Sequence, residues 1–296
     1  MNLKSNKILE ENFLKDINRL KTNDDFISLK AILGREYYEM ITETWGDEIL
    51  ETGKAMLGYL FDLQKKDIYS GLKAFKVIFS GYSEIKYSDI FTPYYDSITT
   101  RRLWVKIPER YNLKDHYINS LRINTFFRWY ASTFELFKKM LIFDCFCLGQ
   151  FTNRPINVRN YLFSINDPIK KLKSESSANR QKLLTYYKST IRHSIAHGNI
   201  VIIQNKGIVI RETNEEKSEI IQTKYGSNPD DFINSVSKNI EIMYNSVRFF
   251  FYITINYLFI KHIELFKLQI NQSIFKDDFF ISMVRSIKNN NKIIKL

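Results

Sequence analysis

An arginine and a histidine, separated by four residues, are the side chains of this sequence best suited to chemistry. They are Arg192 and His197, and they lie in the segment IRHSIAHG, residues 191–198. Histidine has an ordinary pKa of about 6.5 and can transfer protons near neutral pH, while arginine can bind a phosphate and stabilise charge that develops on it. Such a pair could cleave RNA without a metal ion, because the ribose 2′-hydroxyl can act as the internal nucleophile. The products would be a 2′,3′-cyclic phosphate and a 5′-hydroxyl.

Two further side chains of the same segment could assist. His193 could orient the phosphate or help to transfer a proton, and the alternative is a partly exposed helix residue. Lys188 lies four residues before Arg192, on the same helix face, and could hold a neighbouring phosphate. His193 and His197 have the spacing of two metal ligands, but the next acidic residue is Glu212, so a third ligand is lacking nearby. The sequence therefore predicts neither a metal nor a cofactor.

The spacing of Arg192 and His197 also predicts how the pair is assembled. Five residues along an ideal helix leave two side chains about 140° apart and about 7.5 Å apart along the axis. Convergence is easier if the helix ends at His197, as the following Gly198 indicates, and easier still if two copies of the chain meet. The partial negative charge at a helix C-terminus would favour protonated His197, which suits a general acid. We therefore expect a homodimer.

These residues resemble the signature of the HEPN superfamily, which is an arginine, a spacer of four to six residues and a histidine, commonly with Asn, Asp or His after the arginine. Arg192, His193 and His197 fit it, and residues 126–148 and 229–267 look like the first and last helices of the family's four-helix bundle. The resemblance covers about residues 115–270. It implies a metal-independent ribonuclease with a composite site between two subunits. Many bacterial members are toxins or phage-defence effectors that cleave tRNA or mRNA.

Two details qualify the resemblance. Arg110 and His116 also match the signature with a spacer of five, but they follow Pro108 and lack a helical apolar stripe between them, so we prefer the later pair. Family members controlled by a nucleotidyltransferase-type antitoxin carry a tyrosine two residues after the histidine, where this chain has Asn199. Control by tyrosine modification is therefore not expected, although another antitoxin or a regulatory partner could still control the protein.

Apolar periodicity predicts a mainly α protein: a HEPN-like four-helix bundle with a short β-hairpin insertion and an additional N-terminal helical region. We expect residues 1–110 to form that region, residues 111–270 the bundle, and residues 271–296 a basic tail. Residues 80–108, with two prolines and poor periodicity, are predicted to be a connection. The remaining predicted elements are a helix over 115–148 that stops at Gly149, a helix over 178–197, strands at 200–203 and 208–210, a loop over 211–219 and a helix from 229. The broad apolar face predicted for the helix over 115–148 consists of Leu121, Phe126, Phe127, Tyr130, Phe134, Phe137, Leu141 and Phe146.

Composition limits the classes of partner. The net charge of +12 favours an anionic partner, either nucleic acid or a membrane surface, although a lysine-rich proteome would give the same excess. The apolar stretch 249–260 is shorter than the roughly 20 residues of a membrane span and is predicted to be a core helix. Cys145 and Cys147 point about 200° apart on a helix and should not bridge, which fits a cytoplasmic protein. A non-catalytic HEPN-like module and a membrane-surface protein remain the rival interpretations.

Residues 101–128 combine cations with aromatic rings and have two interpretations. The mixture suits RNA, with cations on phosphates and rings under bases, or it is a basic surface over buried aromatics. Arg128 could bind RNA or hold Arg192, and otherwise it belongs to a solvated helix face. The side chains concerned are Arg101, Arg102, Trp104, Lys106, Arg110, Tyr111, Lys114, Tyr117, Arg122 and Arg128.

Overall fold

A computed structural model describes residues 3–21, 45–82, 85, 88–112, 116–163, 166–175, 181–186, 200–203, 207–214, 219–225, 229–259 and 261–269. Helices dominate these residues, so the prediction of a mainly α protein is confirmed. The α-helices are α1 (Leu3–Lys21), α2 (Gly46–Lys66), α3 (Ile68–Ser80), α4 (Phe91–Arg110), α5 (His116–Phe151), α6 (Val158–Phe163), α7 (Asn166–Glu175), α8 (Pro229–Phe251) and α9 (Ile263–Gln269). A 3₁₀ helix (Lys182–Tyr186), a π-helix (Tyr252–Phe259) and strands β1 (Ile200–Ile203), β2 (Gly207–Asn214) and β3 (Glu219–Tyr225) complete the set.

The chain divides into two compact units that alternate along the sequence. The described residues of the first unit fall within 1–91, 139–182 and 246–296, and those of the second unit fall within 92–138 and 183–245. The long helices α5 and α8 therefore each contribute to both units. The predicted division into residues 1–110, 111–270 and 271–296 stays a prediction, and the predicted tail over 271–296 lies outside the described residues.

Aromatic side chains form much of the core of the first unit. Phe266 of α9 packs edge-on against Phe13 of α1 and Phe75 of α3, with ring centroids 5.8 Å and 4.8 Å apart. The predicted core helix at 249–260 is confirmed for its described side chains: Phe249, Phe259 and the other apolar members of this stretch are buried, except for the partly exposed Tyr252 and Tyr257.

A buried polar pair ties α1 to the segment that precedes α9. The carboxylate of Asp16 lies 2.7 Å from Nε2 of His262 and 2.8 Å from Nζ of Lys261. Asp16 and His262 are only 5% and 7% exposed. A buried charge is tolerated where a partner of this kind satisfies it, so the pair fixes how α1 packs.

The end of α5 differs from the prediction. The helix continues past Gly149 to Phe151, and Asn153 then adopts the left-handed conformation with φ of 57°. The amide of Arg154 donates to the carbonyl of Gly149 at 2.8 Å, which closes the last turn in the manner of a Schellman motif. Lys66 of α2 donates to the Phe151 carbonyl and to Asn153 Oδ1. Asparagine is the residue besides glycine that most readily takes this conformation.

Helix α4 occupies residues 91–108 of the predicted connection over 80–108, so that prediction is wrong for this part. Pro93 is the third residue of α4, where its missing N–H has no helical partner to lose. Pro108 is the third residue from the end, where it removes the hydrogen bond to the carbonyl four residues earlier, and α4 ends two residues later. Ser97 and Thr133 share a hydrogen bond at 2.6 Å, and Trp104 stacks on Trp129, so α4 runs antiparallel to α5.

A three-stranded antiparallel sheet in the order β1-β2-β3 lies between the 3₁₀ helix and α8. Ile200 pairs with Ile210, and Ile203 pairs with Gly207. The predicted loop over 211–219 is wrong at its two ends, because β2 continues to Asn214 and β3 begins at Glu219, with Glu212 opposite Ile221. Residues 215–218 lie outside the described residues. Polar residues read as a loop can extend a strand when a neighbouring strand supplies backbone hydrogen bonds. Within the predicted helix 178–197, the described residues 182–186 form a 3₁₀ helix instead.

Candidate nucleic-acid interface

The residues with which the sequence predicts chemistry, Lys188, Arg192, His193 and His197, lie outside the described residues. The described residues on either side of them are Tyr186, which ends the 3₁₀ helix, and Ile200, which begins β1; both belong to the second unit. Helix α4 and the N-terminal half of α5 belong to the same unit. The basic segment 101–128 therefore shares a compact unit with the elements that flank the motif.

Arg128 lies on the solvent-exposed face of α5. Its side chain is 70% exposed, and its guanidinium lies 3.5 Å from the carboxylate of Asp96, itself half-exposed. Exposed ion pairs of this kind contribute at most about 1 kcal/mol to stability. The geometry matches a solvated helix face, and the weak pairing also leaves Arg128 able to exchange Asp96 for a phosphate.

Two other cations of the basic segment serve the fold. Arg101 lies over the rings of Trp129 and Tyr244, at 5.7 Å and 5.1 Å from their centroids, and pairs with Glu241 at 3.4 Å. Arg122, whose side chain is 13% exposed, forms a close ion pair with Asp230 at the start of α8. For Arg101 and Arg122, the interpretation as a basic surface over buried aromatics is the better one.

Trp104 also belongs to the core rather than to a surface for bases. Its ring stacks on Trp129 with centroids 5.2 Å apart and an interplanar angle of 19°, and it lies 5.4 Å from Phe126. Trp129 and Phe126 are fully buried. This aromatic cluster fixes α4 against α5 and so determines which faces of the two helices remain exposed.

Three cations on α4 are exposed. Arg102, Lys106 and Arg110 follow one another at intervals of four residues, and we call them the basic stripe. Each interval advances about 6 Å along an ideal helix and turns it by about 40°, so the three side chains follow one side of α4. Within the described part of the chain, none of the three forms an ion pair with an acidic residue.

Exposed apolar side chains concentrate in the stretch of sequence that contains the basic stripe. Of the nine large apolar side chains that are exposed among the described residues, six lie between residues 95 and 121. Tyr117 is the extreme case, at 84% exposure, and Tyr111 and Leu103 are also more than half exposed. Leu121 is exposed as well, although periodicity placed it on the apolar face of α5. The exposure of Leu103 has no signal in the sequence because no helix is predicted over residues 91–110. The exposure of Leu121 has none because the apolar face predicted for α5 extends too far toward the start of that helix.

Other candidate groups in the described part of the chain do not form a reaction centre. Burial lowers the pKa of His262, and hydrogen bonding to Asp16 opposes that shift without overcoming it. Burial raises the pKa of the Cys145 and Cys147 thiols, with the Asp144 carboxylate adding to the effect, so neither favours the thiolate a nucleophile needs. Among the described residues, no group of three potential metal ligands converges.

Comparison with known proteins gives no family assignment: no family model, curated protein or solved structure matches this chain. Within the described residues, none of the helices combines the length and apolar character needed to cross a membrane.

Proposed function

We propose that the protein is a metal-independent endoribonuclease of the HEPN type. Arg192 would bind the scissile phosphate and stabilise its developing charge, and His197 would transfer the proton, with His193 assisting. The substrate 2′-hydroxyl gives up its proton and attacks the phosphorus, the bond between the phosphorus and the 5′-oxygen breaks, and that oxygen takes up one proton, so the number of protons is unchanged. The products are a 2′,3′-cyclic phosphate and a 5′-hydroxyl, and no cofactor is consumed.

The observation that carries this proposal is the spacing of Arg192 and His197, with a second histidine directly after the arginine. Support comes from the predominantly helical architecture and from the three exposed cations of the basic stripe, which belong to the same compact unit as Tyr186 and Ile200. An enzyme that acts on RNA needs cations without internal partners, because each phosphate contact contributes to affinity through release of counterions.

The same proposal includes the assembly and the biological class. Each subunit would contain a HEPN-like four-helix bundle with α5 and α8 as its first and last helices. Two copies would form a homodimer, and each active site would take residues from both subunits. The function would be that of a toxin or abortive-infection effector that cleaves tRNA or mRNA in the cytoplasm, under the control of an antitoxin or other partner. Mixing Arg192→Ala with His197→Ala protein should restore activity if subunits exchange and the sites are shared.

The direct test compares cleavage of a labelled RNA in EDTA by the wild type, by Arg192→Ala and by His197→Ala. Both variants should lose activity while keeping the helical circular dichroism of the wild type. His116→Ala is the matched control, because His116 terminates the competing Arg-x5-His match. The proposal fails if His197→Ala cleaves RNA as fast as the wild type, or if EDTA abolishes activity.

A second candidate is a HEPN-like module that binds nucleic acid or a protein without cleaving it. The basic stripe favours this candidate equally, since binding through exposed cations requires no catalytic residue. The two candidates differ in one outcome: a binding module leaves RNA intact at any protein concentration, and its toxicity on expression does not depend on His197.

A further inference from the structure

The basic stripe and the exposed tyrosines next to it differ from the other cations and rings of residues 101–128. Arg101 and Arg122 form ion pairs with Glu241 and Asp230, and Trp104 stacks on Trp129. Those groups would be in place whether or not a ligand existed. Arg102, Lys106 and Arg110 are exposed and form no such pair in the described part of the chain, so the packing of α4 does not explain them.

The exposed tyrosines lie close to one end of the stripe. Tyr111 directly follows Arg110, the last residue of α4, and Tyr117 is the second residue of α5. Because α4 and α5 run antiparallel from the Ser97–Thr133 hydrogen bond to the Trp104–Phe126 contact, the end of α4 lies beside the start of α5. Two rings therefore stand where the row of cations ends, all within the second unit.

This combination identifies the chemistry of the ligand. A row of cations follows a chain of phosphates, and exposed rings stack on bases whose faces are free. Bases in a duplex already stack on one another, so exposed rings contribute only when the strand is single. An acidic polypeptide would satisfy the cations and leave the rings without a matching group.

We propose that the face formed by the basic stripe, Tyr111 and Tyr117 binds single-stranded RNA. The face would hold the strand on the unit that contains the residues flanking Arg192 and His197, and so it would act as the substrate-binding surface. The identity of the nucleic acid as RNA rests on the proposed function. The position of the binding face rests on the exposure and pairing of its own residues.

The test measures binding of a fluorescent single-stranded RNA of about 15 nucleotides, a length that covers typical single-strand sites. Its riboses carry 2′-O-methyl groups, so the probe cannot be cleaved by 2′-hydroxyl attack and the wild-type chain can be used. The stripe variant is Arg102→Ala/Lys106→Ala/Arg110→Ala. A second variant, with glutamine at the same three positions, keeps long polar side chains and is used if the alanine variant misfolds. The control variant, Lys15→Ala/Lys73→Ala/Lys76→Ala, removes three exposed cations from the first unit.

The stripe variant should bind at least tenfold more weakly than the wild type. The slope of log affinity against log salt should become shallower by about 2, because each phosphate contact to a single strand contributes about 0.7. The control variant should stay within about twofold of the wild type and keep its slope. Tyr117→Ala should weaken binding by about fivefold or more, whereas Tyr117→Phe should retain it, since the ring rather than the hydroxyl stacks.

Three results would overturn the inference: equal loss in the stripe and control variants, equal affinity for duplex RNA, or competition by polyglutamate as effective as that by RNA. These outcomes are separable from the proposed function. Cleavage that depends on His197 but not on the stripe would refute the binding face alone. Binding through the stripe by a protein that never cleaves RNA would refute the nuclease alone.

Discussion

Replacing Asp16 with alanine should destabilise the protein considerably more than replacing Lys261, which also pairs with Asp16, with alanine. The Asp16 carboxylate accepts from buried His262 at 2.7 Å and from Lys261 at 2.8 Å. Removal of the carboxylate leaves the His262 ring nitrogen buried without this partner, whereas the Lys261 side chain is 47% exposed and can return to water. The geometry therefore assigns most of the cost to the Asp16–His262 bond.

The magnitude follows from the burial of each partner. A hydrogen bond to a charged group contributes roughly 1.5–3 kcal/mol, and an unsatisfied buried group adds a penalty, so Asp16→Ala should cost about 2–4 kcal/mol. Lys261→Ala removes a half-exposed ion pair and should cost about 1 kcal/mol or less. Asp16→Asn, which keeps an acceptor for His262 but loses the charge, should lie between the two.

Urea unfolding followed by far-ultraviolet circular dichroism measures all three variants against the wild type. Comparable denaturant slopes allow the shift in midpoint to be read as a change in the free energy of unfolding. The reasoning is refuted if Asp16→Ala shifts the midpoint no further than Lys261→Ala does, because burial would then not determine the cost.

Two further predictions concern the first unit. Burial lowers the pKa of His262 in the folded protein. The contribution of His262 to stability is therefore complete above about pH 6.5 and is lost as the pH falls through its folded-state pKa. His262→Gln, which does not titrate, should lose less stability than the wild type between about pH 7.5 and about pH 5.5. Gly53→Ala should lower the free energy of unfolding in urea by about 1–3 kcal/mol, although alanine has a higher helix propensity than glycine, because a Cβ there would lie 2.5 Å from Cδ1 of the buried Phe249 ring. An unchanged or raised midpoint would show that this ring can move aside.

Apolar periodicity predicted the cores of the long helices because they repeat a local rule. Phe126, Tyr130, Phe134 and Phe137, which recur at three- and four-residue intervals, are all buried. The same rule failed at Leu121, because periodicity identifies the apolar face of a helix but not how far along the helix other elements pack against that face.

Helix α4 escaped prediction because two prolines suggest a break unless their positions in the helix are known. Pro93 lies in its first turn, where no hydrogen bond is lost, and Pro108 lies in its last turn, where one hydrogen bond is lost but only two residues of helix follow. The missed helix also concealed the different roles of adjacent arginines. Arg101 and Arg102 point about 100° apart on a helix, so one meets Trp129 while the other meets solvent.

The Asp16–His262 pair had no local signal at all. The two residues are separated by 246 positions, and neither forms a motif with its neighbours. Only the packing of α1 against α9 and its preceding turn brings them together. Pairings of this kind are beyond periodicity and spacing, whereas Arg192 and His197, which lie on one short segment, could be singled out from the sequence.

The end groups of total cellular RNA after induced expression test the central claim most directly. Cells that express the wild type should gain new 5′-hydroxyl ends and matching 2′,3′-cyclic phosphates, and cells that express His197→Ala at the same level should gain neither. New ends that carry 5′-phosphates, or the same new ends with His197→Ala, would contradict this claim.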